Sequence, residues 1–453
     1  MSWRTRLEAA IPGGAHTYSR GGDQYASLAP EILVRGKGAY VWDPEGNKFL
    51  DYGMGLRSVI LGYADKSVNK AVVREIKHGN SLSRPSTTEL YAAERLIELI
   101  PSAEMVKFAK NGSNVTSAAS KMARAYTNRK YICVPNQQPF FSFDDWFIGS
   151  TAVKRGIPEN YHELTLKFDF GSIDTLESLF DKYPGEIAAV MLEPATHLLP
   201  CLDKCKKVSG NLECLSCPNV KENFLRQVQA LCKRHGAVFI LDEMRTGFRW
   251  HLRGAQEMYG VSPDLTTFGK ALANGFSVAA LVGKKEIMDL ASINKVGTER
   301  VFLLSSTNGA EMSSLGALLE TTRRLENEKV SEYLWDYGKR LSDGFTRLAK
   351  EIKVDKYIFV EGPSVALELV ALDANLQPSA KFRTLFLQEM AKNRVLVASG
   401  NTFAPSFAHG ERELKATLNA FSNSLLVYKN AIERDVKIYL EGEEVKPVFR
   451  KYN

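Results

Sequence analysis

Two uninterrupted apolar runs constrain this chain more than any other feature. They are Ala188, Ala189, Val190, Met191 and Leu192, and then Ala237, Val238, Phe239, Ile240 and Leu241. Runs this short and continuous, set among amphipathic helical stretches, predict strands covered on both faces, the habit of parallel sheets. From about residue 87 such strands alternate with long amphipathic helices. The expected fold class is therefore α/β, with a large, central, mostly parallel sheet. Residues 39–52 read differently: aromatic and aliphatic residues flank Asp43, Pro44, Glu45 and Gly46, which predicts two short strands around a turn. Past about residue 325 the pattern becomes helix plus scattered strands. The expected organisation is residues 1–75 contributing to a small domain, 76–325 forming a large one, and 326–453 completing a small α+β domain from both chain ends.

A chain of 453 residues is long enough for that core, and its 44% apolar and 25% charged content is ordinary for a globular protein. The net charge of +7 is spread along the chain with no basic block, so no nucleic-acid partner is expected. No run of about twenty apolar residues suggests a membrane span. The first residues, Met1 to Arg6, lack the apolar segment of a secretory signal, which makes the cytoplasm the expected location.

Three segments carry chemistry. The run of residues 237–241 ends in Asp242 and Glu243, which places Asp242 at the carboxyl edge of the sheet, where ligands gather in open α/β folds. Alternatively, such residues merely solvate a strand end. Lys270 stands in a mostly apolar stretch before a turn at Asn274 and Gly275. Burial lowers a lysine pKa, and a neutral amine is what an aldehyde needs for imine formation; a snorkelling surface lysine is the alternative. Asn111, Gly112 and Ser113 open a helix whose exposed N–H groups suit a phosphate, or form an ordinary N-cap. Together the three fit pyridoxal 5′-phosphate (PLP), which needs a lysine imine and a carboxylate against its pyridine nitrogen.

The chain then resembles a known family, the class III, fold-type I PLP-dependent aminotransferases, in particular the glutamate-1-semialdehyde 2,1-aminomutase-like branch. The resemblance runs from Ile11-Pro12-Gly13-Gly14 and Leu50-Asp51-Tyr52-Gly53-Met54-Gly55 through Lys110-Asn111-Gly112-Ser113 and Leu192-Glu193-Pro194. It continues in Leu241-Asp242-Glu243-Met244-Arg245-Thr246-Gly247-Phe248-Arg249 and Thr267-Phe268-Gly269-Lys270-Ala271, and ends at Ser406-Phe407-Ala408-His409. It implies that Lys270 holds PLP and moves the proton between substrate Cα and cofactor C4′. Asp242 is then the partner of the pyridine nitrogen, and Gly112 and Ser113, with Asn111, bind the phosphate. Thr307, in Ser305-Ser306-Thr307-Asn308-Gly309, matches a threonine that reaches the partner subunit's phosphate, implying a homodimer with shared active sites. The family's stacking tyrosine is replaced: the aligned run is Phe140-Phe141-Ser142, and Phe140 keeps a π-face but no hydroxyl.

Arginine suits a substrate carboxylate. Arg20, Arg57 and Arg84 lie in segments that line the substrate side in related enzymes, although each also reads as a structural or solvated residue. Tyr18, Ser19 and His409 are weaker candidates. A cysteine-rich stretch, 197–220, interrupts the family pattern. Cys201, Cys205, Cys214 and Cys217 have a spacing that suits a structural zinc, with free thiols an equal alternative. The function implied is amino-group transfer between a small-molecule amino donor and a carbonyl acceptor, as a transaminase or an aminomutase. The runs at 53–58 and 110–113 look most like relatives from polysaccharide or nucleotide-sugar pathways. A PLP-dependent racemase or epimerase, and a non-catalytic scaffold, are the rivals.

Overall fold

The computed structural model describes residues 1–196, 198–201, 223–397 and 400–452. Its chain divides into two compact units, one of residues 1–65 with 333–448, the other of residues 66–332 with 449–453.

The second unit is built on seven strands: β4 (Met105–Ala109), β5 (Tyr131–Pro135), β6 (Thr165–Phe168), β7 (Ile187–Leu192), β8 (Val238–Asp242), β9 (Leu265–Phe268) and β10 (Ala279–Gly283). Their order across the sheet is β4-β10-β9-β8-β7-β5-β6. Five neighbours, β6, β5, β7, β8 and β9, pair in parallel. Strand β10 runs against both β9 and β4, so six strands share one direction and β10 alone is reversed. Every residue of β7, β8, β9 and β10 is buried, as the unbroken apolar runs require. Helices supply the covering faces. In the helix Phe224–His235 the buried residues Phe224, Leu225, Val228, Leu231 and Cys232 form one stripe at helical spacing. Asn223 caps its start through Arg226 N at 3.0 Å, and Gly236, at φ 65°, ends it in the left-handed region.

The first unit has a sheet ordered β1 (Arg35–Lys37), β2 (Tyr40–Trp42), β3 (Lys48–Asp51), β13 (Val395–Leu396), and a second ordered β11 (Ile358–Glu361), β12 (Leu367–Ala371), β14 (Thr402–Phe403). The turn expected at residues 43–46 joins β2 to β3: Asp43 Oδ1 accepts from Asn47 N at 2.7 Å, and Gly46 takes φ 83°. Tyr337, Leu341, Phe345 and Ala349 repeat every four residues along the helix Val330–Ile352 and enter a buried cluster with Phe421, Leu425 and Tyr428 of the helix Glu411–Glu433. Gly338 is fixed by close approach, since a Cβ there would lie 1.8 Å from the Ser364 carbonyl oxygen. The buried Tyr52 hydroxyl is paired, lying 2.8 Å from both Tyr337 OH and Thr417 Oγ1.

No described helix is long and apolar enough to cross a membrane. Of the expected zinc ligands, Cys205, Cys214 and Cys217 lie outside the described residues, and Cys201 is half-buried. Among the described residues no group of three or more His, Cys, Asp or Glu could hold a metal ion.

Candidate active site

The shared direction of six strands brings their carboxyl ends to one edge of the large sheet, where ligands gather in open α/β folds, and the candidate residues lie on the segments that leave it. Residues 110–113 follow β4, 136–143 follow β5, Glu193 follows β7, Asp242 closes β8 and leads into Met244 and Arg245, and Lys270 follows β9.

Asp242 and Glu243 are both buried but turn to different tasks. The Glu243 carboxylate accepts from Ala255 N at 2.6 Å, Gln256 N at 2.9 Å and Thr246 Oγ1 at 3.0 Å, so it ties down the following loop. Asp242 Oδ1 accepts from Met244 N at 2.9 Å and from Thr267 Oγ1 at 2.8 Å, its neighbour in the β8–β9 register. Asp242 Oδ2 accepts no hydrogen bond from any described residue. Burial, and then the charge of Glu193, push the Asp242 carboxyl up to about 6, against the pull of Met244 N, Thr267 and the nearby Lys270. A buried carboxylate with one oxygen engaged and the other unengaged fits a protonated ring nitrogen, whose positive charge would draw the pKa back down.

The helix Gly112–Thr127 begins at the same edge. Asn111 is its N-cap, with Oδ1 accepting from Asn114 N at 3.1 Å. Ser113 Oγ accepts from Phe143 N at 3.1 Å, fixing the turn against the segment after β5. The backbone N–H groups of Gly112 and Ser113 donate to no described residue, which leaves two oriented donors at the positive end of a helix dipole. That arrangement fits a phosphate. A Cβ on Gly112 would lie 3.0 Å from Met244 Sδ, and one on Gly269 only 2.4 Å from the same sulfur. Met244 therefore packs between the turn at Gly112 and the segment at Gly269, and both glycines are needed for the three strands' ends to converge.

Lys270 is half-buried and sits at φ 45°, in a left-handed conformation that costs a non-glycine residue about 1–3 kcal/mol. Ala271, Leu272 and Ala273 behind it are buried and hold that geometry. Phe140 is 45% exposed, with the rings of Phe147 and Phe449 at 6.4 and 6.0 Å, so one face is available for contact. Thr307 lies exposed in a turn, where Asn308 Nδ2 donates to Glu311 Oε1 at 3.1 Å and Glu311 is ion-paired with Lys110. The structure thus joins the threonine turn to the residue preceding the phosphate turn of the same chain.

The arginine candidates divide between the two units. Arg84 is exposed in the second unit. Arg20 and Arg57 belong to the first, where Arg20 is exposed and Arg57, at φ 72°, donates to Thr402 Oγ1 at 2.9 Å. His409 is fully buried, with Nδ1 2.9 Å from Ser406 Oγ and its ring 4.5 Å from that of Tyr52, which makes it a packing residue.

Several contributors at the strand edge carried no role in the sequence reading. Glu193, 3% exposed, takes both Arg245 Nε and Arg245 Nη2, the latter at 2.7 Å. Gln138 holds the Glu193 backbone from both sides, donating to its carbonyl at 3.0 Å and accepting its N–H at 2.7 Å. Glu193 was legible as an acid directly after an apolar strand. Gln138 offered no signal.

The family model for class-III aminotransferases matches residues 24–197 and 217–425. Among solved structures, the FumI protein of Sphingopyxis sp. MTA144, in its PLP internal aldimine form, is 24% identical, with 95% of this chain and 97% of that one covered and a TM-score of 0.83. An omega-transaminase from Sphaerobacter thermophilus is 23% identical over 94% of this chain and 97% of its own, with a TM-score of 0.79. The ornithine aminotransferase of Toxoplasma gondii ME49 is 20% identical, with 90% and 92% covered and a TM-score of 0.73. These likenesses establish the fold, an α/β fold of PLP fold-type I transaminases with a large, mostly parallel mixed sheet.

Proposed function

This chain belongs to the class-III aminotransferases and is a PLP-dependent enzyme of amino-group transfer, and from there we propose that Lys270 bonds the cofactor, Asp242 faces its ring nitrogen, and Asn111, Gly112 and Ser113 hold its phosphate. The observation that carries this reading is the convergence of three segments on Met244 beside an Asp242 whose Oδ2 is unengaged. When bound, PLP supplies an aldehyde that captures amines and a protonated ring that withdraws electrons from the carbon being deprotonated.

The chain's own residues then have distinct tasks. With PLP bound, the Lys270 Nζ amine would be the base that moves the proton between substrate Cα and cofactor C4′. Asp242 stays ionised so that the ring nitrogen keeps its proton, with Thr267 and Met244 N fixing the carboxylate's orientation. The Gly112 and Ser113 N–H groups would anchor the phosphate, and the exposed face of Phe140 would offer a stacking surface to the ring. Thr307 completes the phosphate site of a second subunit, so the working form is a homodimer, acting in the cytoplasm. One or more of Arg20, Arg57 and Arg84 receives a substrate carboxylate. The N-terminal and Ser406–His409 motifs support membership of the glutamate-1-semialdehyde aminomutase-like branch, in which cross-transamination and intramolecular transfer would use the same residues.

The test is a screen of amino donors against the PLP-loaded protein with no acceptor present. A stoichiometric amount of carbonyl product per site, with loss of the cofactor's visible absorbance, is expected. An inverted amino acid with no carbonyl product would instead establish racemisation and overturn the transfer reading.

A further inference from the structure

Two buried carboxylates, not one, leave neighbouring strand ends at this edge. Glu193 leaves the end of β7 and Asp242 the end of the adjacent β8, and both are buried. A second negative charge in a low-dielectric setting opposes ionisation of the first. Asp242 can meet a protonated nitrogen only as the anion. The structure holds an answer to that conflict three residues beyond Asp242. Arg245 grips the Glu193 carboxylate through Nε and Nη2, in the side-by-side geometry that makes such pairs strong. Gln138 locks the Glu193 backbone through two hydrogen bonds, so the carboxylate is delivered to Arg245 from a fixed main chain.

We propose that Arg245 is a positioning residue for Asp242: by pairing with Glu193 it offsets the second charge at this strand edge and leaves Asp242 anionic, ready for a protonated ring nitrogen. The proposal rests on the reading of Asp242 as the ring-nitrogen partner. The charges that act on Asp242 come from Glu193 after β7 and Lys270 after β9, and Arg245, on the turn that follows Asp242 itself, is ion-paired with Glu193. Lys270 also favours the anion. Burial and Glu193 already set the Asp242 carboxyl near 6 with Arg245 in place, so little margin remains before neutral pH.

The test measures binding rather than turnover. Apo-protein is titrated with 4-deoxypyridoxine 5′-phosphate, which has the ring nitrogen and phosphate but no aldehyde, and affinity is followed by tryptophan fluorescence across a pH series. The acid limb that survives in Asp242→Asn belongs to the probe itself and is subtracted. In the parent protein the remaining limb is expected near pH 6. Arg245→Met moves it up by about one pH unit, and Glu193→Gln with Arg245→Met brings it back, because the opposing charge is gone. Glu193→Gln alone moves it below the parent value, which keeps the test available if Arg245→Met does not fold. An unmoved limb in Arg245→Met, a double variant that stays where Arg245→Met lies, or an unmoved limb in Glu193→Gln each overturns the proposal. If Asp242→Asn keeps the whole parental limb, the assignment of Asp242 is what fails instead.

Discussion

At the scale of single residues, the site rests on two groups held in demanding environments. Lys270 adopts a left-handed backbone at φ 45°, and the buried run Ala271, Leu272 and Ala273 keeps it there. Lys270→Ala is expected to abolish turnover while PLP still binds noncovalently through the phosphate turn and Asp242; gel filtration followed by cofactor assay separates the two effects. Asp242→Asn keeps the shape but removes the anion. Turnover should fall by at least about a hundredfold, the usual cost of losing a preorganised charge at a reacting centre, and steady-state rates on the loaded protein check it. Glu243 shows why adjacent acids are not interchangeable. Its carboxylate is spent on Ala255 N and Gln256 N, so Glu243→Gln should lower thermal stability more than it disturbs the cofactor, as melting curves with and without PLP would show.

At the scale of elements, the strand ends act as a unit because Met244 lies between two of them. Gly269→Ala would set a methyl group 2.4 Å from Met244 Sδ, and the sulfur has to move. PLP retention is expected to drop by roughly tenfold, about 1.4 kcal/mol, and Met244→Ala in the same chain is expected to restore part of it; equilibrium dialysis measures both. Much of this level was legible in the sequence. Continuous apolar runs marked β7 and β8, and the acid, lysine and glycine-led helix were readable as partners because each follows a strand or opens a helix. The reversed strand β10 was not legible: Ala279–Gly283 is as apolar and as buried as its parallel neighbours, and burial on both faces carries no direction. Nor was the pairing of Gln138 with Glu193, 55 positions apart, since long-range side-chain partners leave no local periodicity.

At the scale of the whole molecule, the second unit carries the proposed cofactor residues Asn111, Gly112, Ser113, Phe140, Asp242, Lys270 and Thr307 within one stretch of chain. That unit also exposes Ile293, Val296 and Phe302, the last two 95% and 67% accessible, a few residues before Thr307. A second copy covering these side chains accords with the proposed homodimer. Phe302→Asp and Val296→Asp together are expected to yield a monomer with weakened PLP retention, whereas a parent protein that sediments as a monomer would remove the shared-site proposal; analytical ultracentrifugation decides. The cysteine-rich stretch stands apart from these conclusions, because three of its four thiols lie outside the described residues. Everything else depends on where the cofactor is attached. Borohydride reduction of the PLP-loaded protein, followed by peptide mapping, should place the phosphopyridoxyl label on Lys270, and recovery of that label on any other lysine would contradict the site described here.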